Sequence, residues 1–237
     1  MARLTVVMAV AAIFSGLLSF AQAADLGPPP VSPAPTAPAP FNWTGWYVGV
    51  NGGGAWGSQD PFNLITDRFD PLSTSISGGL FGGTLGAQVQ AASVLIGIEA
   101  DIDWAHITGS TTATPTVAGV PLVPVTASTS IDMQSTLRVR AGLPIDNWLP
   151  YLTAGVAVLD AKTNLTTPGG AVCGGGIFNG CSGASRQIGA ALGGGVEYAF
   201  TPNWSVKAEY LYVTAASLDI SHNNEIRAGV NYRFGGF

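Results

Sequence analysis

The feature that most constrains the fold of this chain is a repeated stretch of about ten residues in which polar and apolar side chains alternate. The stretches are rich in β-branched, aromatic and Gly residues and end at turn residues. Successive side chains of a strand point to opposite faces, so each stretch predicts a strand with one polar and one apolar face. Eight such strands are predicted: Thr44–Trp56, Ser77–Gln90, Ser93–Ala105, Ser130–Leu143, Trp148–Asp160, Arg186–Phe200, Trp204–Ala215 and Asn224–Phe234.

The connections between these strands alternate in length. Three are short turns of small or turn-forming residues, at Ala91–Ala92, Pro144–Asn147 and Thr201–Asn203. The connections between them are longer, at residues 57–76, 106–129, 161–185 and 216–223. Short periplasmic turns and longer extracellular loops are typical of outer-membrane barrels. The predicted fold is therefore all-β, an eight-stranded antiparallel up-and-down transmembrane β-barrel with its longer loops outside the cell.

The scarcity of charge decides which face meets lipid. Charged residues make up 10% of the chain, whereas an ordinary soluble domain carries roughly a quarter. The apolar faces carry no charge in mid-strand, where Arg or Lys would cost about 2–4 kcal/mol in a bilayer. Asp160 and Arg186 share the parity of the apolar face, but both lie at predicted outer strand ends. The apolar faces are therefore expected to point outward into lipid, and a soluble periplasmic barrel is the alternative fold.

The polar faces carry six acids and five bases, which nearly balance. A lumen of about eight strands is only wide enough for side chains to fill, so its charges must pair to offset the cost of desolvation. The sequence predicts a lumen charge network of eleven residues: Glu99, Asp101, Asp103, Arg138, Arg140, Glu197, Lys207, Glu209, Glu225, Arg227 and Arg233. Seven glycines are expected to face the same lumen and to make room for Arg side chains: Gly83, Gly97, Gly155, Gly189, Gly193, Gly195 and Gly229.

Aromatic residues are expected to form two belts where the barrel wall meets the membrane interfaces. The inner belt is predicted to contain Trp46, Trp148, Tyr198, Phe200, Trp204, Tyr232 and Phe234. The outer belt is predicted to contain Trp56, Trp104 and Tyr212.

Three segments precede or interrupt this pattern. Residues 1–23 predict a cleaved signal peptide, with Arg3 before an apolar run and a small-residue cleavage site at its end. Residues 24–42, rich in Pro, predict an extended periplasmic tether, and residues 43–237 the barrel. Cys173 and Cys181 would enter an oxidising compartment, where a disulfide is favoured over a metal site because no His lies nearby.

Composition and motifs argue against several classes of function. Removing Arg3 with the signal leaves 8 basic and 14 acidic residues, a formal net charge of −6, so nucleic acid is not an expected partner. The only histidines, His106 and His222, lie in or beside predicted loops, and sequence adjacency does not make Asp219, Ser221 and His222 a catalytic triad. The Gly runs lack the continuation of a phosphate-binding loop. No enzyme activity, cofactor or metal is expected.

The residues described above resemble a known family, the small outer-membrane porin-like proteins of alphaproteobacteria. The likeness covers most of residues 43–237 and lies in six stretches: Trp43–Gly49, Gly97–Trp104, Leu137–Gly142, Pro150–Ala157, Asn203–Tyr210 and Arg227–Phe234. The resemblance implies membership of the eight-stranded barrel superfamily that includes opacity proteins and the outer-membrane protein A barrel.

The resemblance also implies roles and partners. These are envelope integrity, surface antigenicity, and in some members contact with small solutes or haemin; the expected surroundings are outer-membrane lipid and the barrel-assembly machinery. The chain departs from the usual ending, because Gly235 and Gly236 separate the last strand from the terminal aromatic Phe237, the expected assembly signal. A monomeric envelope barrel is the leading hypothesis. A small diffusion pore and a loop-mediated adhesin or haemin-binding protein are the alternatives.

Overall fold

A computed structural model describes residues 41–59, 74–114, 116–117, 120–121, 124–168, 170–171, 182–215 and 222–234. The predicted signal peptide, the tether up to residue 40, Cys173, Cys181 and Phe237 lie outside these residues. Within the described part of the chain, no helix is long and apolar enough to cross a membrane.

The described residues form eleven β-strands. They are β1 (Gly45–Gln59), β2 (Thr74–Ala91), β3 (Val94–Ala113), β4 (Thr116–Val117), β5 (Val120–Pro121), β6 (Val125–Gly142), β7 (Trp148–Thr167), β8 (Gly170–Ala171), β9 (Ser182–Ala199), β10 (Trp204–Ala215) and β11 (His222–Arg233). The eight long strands pair with their neighbours in an antiparallel ring, which β1 and β11 close. The two-residue strands β4 and β5 pair with each other, and β8 pairs with the end of β7. The predicted eight-stranded antiparallel barrel is confirmed.

Several strands are longer than predicted at their outer ends. β3 and β7 each contain 20 residues and β6 contains 18, whereas about 9–11 residues suffice to cross a membrane. The ladder between β3 and β6 continues through Ser- and Thr-rich segments that the sequence places in a loop, up to the pair Ala113↔Val125. The hydroxyls of Thr112 and Thr126 are hydrogen-bonded at 2.8 Å within this extension. These segments lack a strong apolar alternation, so the pattern alone does not reveal them.

A β-bulge interrupts β6 at the outer edge of its apolar face. The register between β6 and β7 shifts between Ile131 and Met133, and the register between β3 and β6 shifts at the same place. Ile131 and Gln134 are both buried, so the extra residue exchanges the inward and outward sets of the strand. Beyond the bulge the even-numbered residues of β6 face outward, whereas below it the odd-numbered ones do.

The apolar faces point outward along the membrane-crossing part of the barrel. Leu152 is 72% exposed and Ile98 is 55% exposed, although both belong to strands whose opposite faces are buried. The expected lumen position of Gly83 is wrong. Its neighbour Thr84 is buried, so Gly83 faces outward and Gly82 occupies the inner face beside Asp103.

Candidate functional site

The lumen contains three layers along the barrel axis. At the periplasmic end, a floor cluster comprises Phe41, Trp43, Leu95, Leu149 and Ala199. The lumen network of eleven charges occupies the middle of the barrel, and every member is at most 4% exposed. Above it, an outer cluster of twelve buried apolar side chains lies in the outer half of the barrel: Ala55, Ile76, Leu80, Ala105, Ile107, Ile131, Ala157, Leu159, Ala161, Ala191, Leu211 and Val213.

Arg138 forms the centre of the lumen network. Its guanidinium contacts three carboxylates, with Nη2 2.6 Å from Glu99 and Nη1 2.9 Å from Glu209, and it also pairs with Asp101. Two strands supply these acids, with Glu99 and Asp101 on β3 and Glu209 on β10, so a single Arg ties β3 and β10 to β6 across the lumen. Asp101 also accepts hydrogen bonds from Thr84 at 2.7 Å and from Thr136 at 2.9 Å.

Arg140 and Lys207 extend the network toward the periplasmic side. Arg140 pairs with Glu197, and its guanidinium carbon lies 3.7 Å from the centre of the Tyr151 ring. Lys207 Nζ lies 3.0 Å from Glu99. Each of these cations therefore has an acid partner, and Arg140 also has an aromatic face that tolerates a desolvated guanidinium.

Two tyrosines connect this network to the barrel wall. The Tyr47 hydroxyl donates to Glu99 at 2.8 Å, and the Tyr151 hydroxyl donates to Glu209 at 3.1 Å. Each ring lies close to the glycine directly opposite on the adjacent strand, Gly86 for Tyr47 and Gly195 for Tyr151. Neither tyrosine belongs to the lumen network predicted from the sequence, although their odd positions match the inward parity of their strands.

A separate group of charges lies nearer the outer cluster. Arg227 pairs with Asp103 at 3.0 Å and with Glu225 at 2.7 Å. Glu225 also accepts a hydrogen bond from Asn223 at 3.0 Å. Ten of the eleven predicted lumen charges thus belong to ion pairs in the described structure.

Arg233 differs from the other ten charges because no acid pairs with it among the described residues. Its guanidinium carbon lies 4.4 Å from the Trp43 ring centre and 4.6 Å from that of Phe41. It also donates to the backbone oxygen of Asn42 at 3.3 Å. Arg233 therefore stabilises the floor cluster through its aromatic faces.

Trp43 is fully buried in the floor cluster, although sequence analysis assigned it no role. Its backbone N–H donates to the side-chain oxygen of Gln90 at 2.9 Å, and its backbone oxygen accepts a hydrogen bond from the side-chain amide of Gln88 at 2.8 Å. Its indole nitrogen donates to the backbone oxygen of Asp146 in a periplasmic turn at 3.3 Å. These bonds fix the ring across the periplasmic mouth.

The outer cluster is the main feature that the sequence analysis did not anticipate. An interior filled by polar and charged side chains was expected, yet the inner faces of β7 and β10 end in Leu159, Leu211 and Val213. The available signal was parity, because Leu211 and Val213 share the parity of Lys207 and Glu209 on β10, and Leu159 shares that of Gly155 on β7. Inward parity of large aliphatic residues near the strand ends predicts an apolar layer inside the barrel.

The predicted aromatic belt residues lie on the outer wall. All but Tyr198, Tyr212 and Tyr232, which are half-buried, are exposed. At the inner rim, Trp148 contacts Tyr198 with ring centres 4.6 Å apart, and Trp204 contacts Tyr232 at 5.0 Å. At the outer rim, Trp104 stacks on Phe81 at 5.6 Å.

Two exposed ion pairs lie on the outer wall beside the bulge of β6. Lys162 Nζ lies 2.6 Å from Asp132, and Arg186 Nε lies 3.0 Å from Asp160. The Arg186–Asp160 pair lies in the same cross-strand row as Trp104, at the edge of the apolar band, and the Lys162–Asp132 pair lies just beyond it. The hydrogen bond from Lys162 lowers the pKa of Asp132 below its ordinary value. His106 is an exposed residue of β3 at the same bulge, and His222 begins β11 with its ring 6.0 Å from that of Tyr212.

The lumen is built to hold charge in a fixed arrangement. The described residues contain no group of three or more His, Cys, Asp or Glu side chains placed to hold a metal ion. The charged side chains instead neutralise one another between two apolar layers. This arrangement stabilises a filled barrel interior.

A closed ring of eight lipid-facing strands around a charge-filled lumen defines a small outer-membrane β-barrel. The family model described as outer membrane protein beta-barrel domain matches residues 13–234, and the chain belongs to that family. Its place in the cell is the outer membrane, in contact with outer-membrane lipid.

Curated relatives agree along almost the whole chain. The 31 kDa outer-membrane immunogenic protein of Brucella melitensis is 30% identical over 265 residues, covering 97% of this chain and 98% of that protein. The 25 kDa outer-membrane immunogenic protein of Brucella canis is 24% identical, covering 98% and 97%.

Two solved structures of bacterial proteins match most of the chain at low sequence identity. Neisserial surface protein A has 18% identity and a TM-score of 0.44, with 81% of this chain and 98% of that chain covered. The attachment invasion locus protein of Yersinia pestis has 14% identity and a TM-score of 0.41, with 81% and 99% covered.

Proposed function

We propose that this protein is a closed structural barrel of the outer membrane that presents its longer loops at the cell surface and conducts no steady current. The observation that carries the proposal is the stacking of the lumen network between the floor cluster and the outer cluster. Such a protein adds a rigid, lipid-embedded element to the envelope without making it permeable.

The energetics of the lumen network support a closed state. A path for ions through the barrel requires Arg138 to leave Glu99, Asp101 and Glu209, all of which are buried. Removing one partner of a buried pair typically costs about 3–5 kcal/mol because the other charge is left without compensation. The path also requires displacement of Trp43 at one end and of the outer cluster at the other.

A flux measurement distinguishes the closed barrel from the alternative, a small diffusion pore. The refolded full chain would be placed in liposomes and the entry of a small sugar and of chloride followed by light scattering and a fluorescent indicator. We expect rates equal to those of protein-free liposomes. A matched variant, Trp43→Gly with Arg138→Gly and Leu211→Gly, removes bulk from both apolar layers and from the lumen network between them, and reports whether the assay detects a leak through this barrel. Sugar or chloride entry with the unmodified chain would contradict the proposal.

The surface role rests on the loop arrangement and on the relatives. The two curated relatives named above are called immunogenic, and the longer connections of this chain all leave the same end of the barrel. We expect antibodies against residues 60–73 to bind intact cells. An epitope inserted at the turn between β6 and β7, which lies at the opposite end, should bind antibody only after the outer membrane is broken. Labelling of the turn epitope on intact cells would overturn the assigned orientation.

The remaining expectations are proposals about partners. We place Phe237 as the residue read by the barrel-assembly machinery, and the barrel as a monomer without enzymatic activity. Binding of small solutes or haemin depends on loops outside the described residues, and haemin pull-down with intact and loop-deleted protein tests it.

A further inference from the structure

The outer extension of β3, β6 and β7 carries a regular array of polar side chains on its outward surface. Nine residues form this surface, here called the polar wall: Thr108, Ser110, Thr112, Thr126, Ser128, Ser130, Lys162, Asn164 and Thr166. Cross-strand register arranges them in three rows, Thr108–Ser130–Lys162, Ser110–Ser128–Asn164 and Thr112–Thr126–Thr166. All nine are exposed or half-buried.

The polar wall begins where the lipid-facing surface ends. On β3 the outward residues change from Ile102 and Trp104 to Thr108 and Ser110. A surface of hydroxyls and amides gains nothing in hydrocarbon, so the wall lies outside the hydrocarbon core and begins at the polar layer of the outer leaflet. The Trp104 ring, at the last apolar position, marks the interface.

The β6 bulge is what turns this array outward. Without the extra residue at Asp132, strand alternation would place Val125, Ala127 and Thr129 on the outside and the three hydroxyls of the wall inside. The bulge therefore keeps apolar side chains within the barrel and polar ones on its outer surface. It makes the wall uniformly polar across three strands.

Charged groups border the wall on its membrane side. Lys162 pairs with Asp132 and Arg186 pairs with Asp160, around a shallow cavity of about 460 Å³ that both pairs line. A second depression of about 270 Å³ lies among Ser110, Ser128 and Asn164. Both cations remain largely exposed, so phosphate oxygens in the surrounding leaflet can replace or share their carboxylate partners.

We propose that the polar wall, which includes Lys162, binds the phosphorylated glycolipid of the outer leaflet together with the neighbouring Arg186. The two cations contact its phosphate groups at the interface, and the hydroxyl and amide rows hydrogen-bond the first sugars above them. A flat array of hydroxyls at strand spacing offers donors and acceptors to a sugar ring without a deep pocket. The acyl chains pack on the apolar wall below Trp104.

The charge pairs allow a test that separates ligand binding from a structural role, because a structural role predicts the same effect whichever partner of a pair is lost. The refolded full chain in detergent micelles would be mixed with lipid A carrying inner-core sugars, and bound glycolipid counted by native mass spectrometry and titration. The double variant Lys162→Gln with Arg186→Gln should weaken binding at least fivefold. The variant Asp132→Asn with Asp160→Asn frees the same cations and should strengthen binding. If both variants weaken binding equally, or neither changes it, the proposal is overturned.

The hydroxyl rows provide a second readout that does not depend on the ion pairs. Ser110→Ala with Ser128→Ala should weaken binding of the glycolipid with inner-core sugars and leave binding of sugar-free lipid A unchanged. Thr214→Val, an outward hydroxyl on β10 away from the wall, is the matched control and should change neither. Equal loss for both lipids would contradict a role in sugar contact. If soluble core oligosaccharide displaces the glycolipid completely, the ligand is a free saccharide and the assignment of the leaflet lipid as the ligand is wrong.

Discussion

The ring of Tyr47 lies directly over Gly86, the residue opposite it on the neighbouring strand, so a Cβ atom at Gly86 would stand 2.1 Å from the tyrosine Cζ atom. The same tyrosine donates its hydroxyl to Glu99, which also binds Arg138 and Lys207. Because Gly86 has no side chain, the Tyr47 ring can lie over it and hold Glu99 in its place in the lumen network.

Replacing Gly86 by Ala should therefore destabilise the barrel. The added methyl group forces the Tyr47 ring away from Glu99, and overpacking of this kind typically costs about 1–3 kcal/mol. Urea unfolding from lipid vesicles would measure the loss. Gly83→Ala is the matched control, because its Cβ atom would meet only the Gly49 backbone oxygen at 3.9 Å. Equal effects of the two substitutions would refute the inward position of residue 86.

Replacing Arg138 by Met should be among the most damaging single changes in the lumen. It leaves Glu99, Asp101 and Glu209 without their shared cation, a loss of about 3–5 kcal/mol by comparison with other broken buried pairs. The variant should unfold at lower urea and lose heat-dependent migration on gels more readily. Arg186→Met removes an exposed Arg and should change the urea midpoint little. A stable Arg138→Met barrel would contradict the central role of this residue.

Introducing a charge on the lipid-facing wall should reveal the membrane boundary. Leu137, which is 57% exposed, lies in the apolar band, so Leu137→Arg should cost about 2–4 kcal/mol in a bilayer. Thr108→Arg lies beyond Trp104 and should have little effect. Refolding yield and urea midpoint in vesicles would compare the two. If Thr108→Arg is as harmful as Leu137→Arg, the apolar band extends farther than Trp104.

The buried position of Trp43 predicts a fluorescence difference from the belt tryptophans. Proteins that keep only Trp43 or only Trp104, with the other tryptophans changed to Phe, would be refolded in lipids brominated along their acyl chains. Trp104, 57% exposed on the outer wall, should be quenched strongly, whereas Trp43 inside the floor cluster should be quenched weakly. Similar quenching of both would place Trp43 in contact with lipid.

The sequence was sufficient for the barrel because charge and alternation reinforce each other. In β3, Glu99, Asp101 and Asp103 alternate with apolar residues. Because charge is scarce in the whole chain, a charged strand face opposite an apolar one indicates a polar lumen and a lipid-facing wall. The predicted inward set of β11 follows from the same alternation, and the structure buries Glu225, Arg227 and Arg233 there.

Other features depend on information that a periodic pattern does not contain. The bulge at Asp132 shifts parity within one strand, and the Gly-rich run of β2 gives no contrast from which to assign Gly82 inward and Gly83 outward. The outer extensions of β3 and β6 are stabilised by pairing across strands, so local apolar periodicity does not reveal them. The partners of each lumen charge likewise depend on strands distant in sequence, such as Arg138 and Glu209.

The closed lumen is tested most directly by single-channel recording of the refolded full-length protein in planar lipid bilayers. With the lumen network held between the floor and outer clusters, we expect a baseline equal to that of the bare bilayer over long recordings at moderate voltage. A stable, reproducible open level from the unmodified protein would contradict a closed lumen and would show that this barrel is a pore.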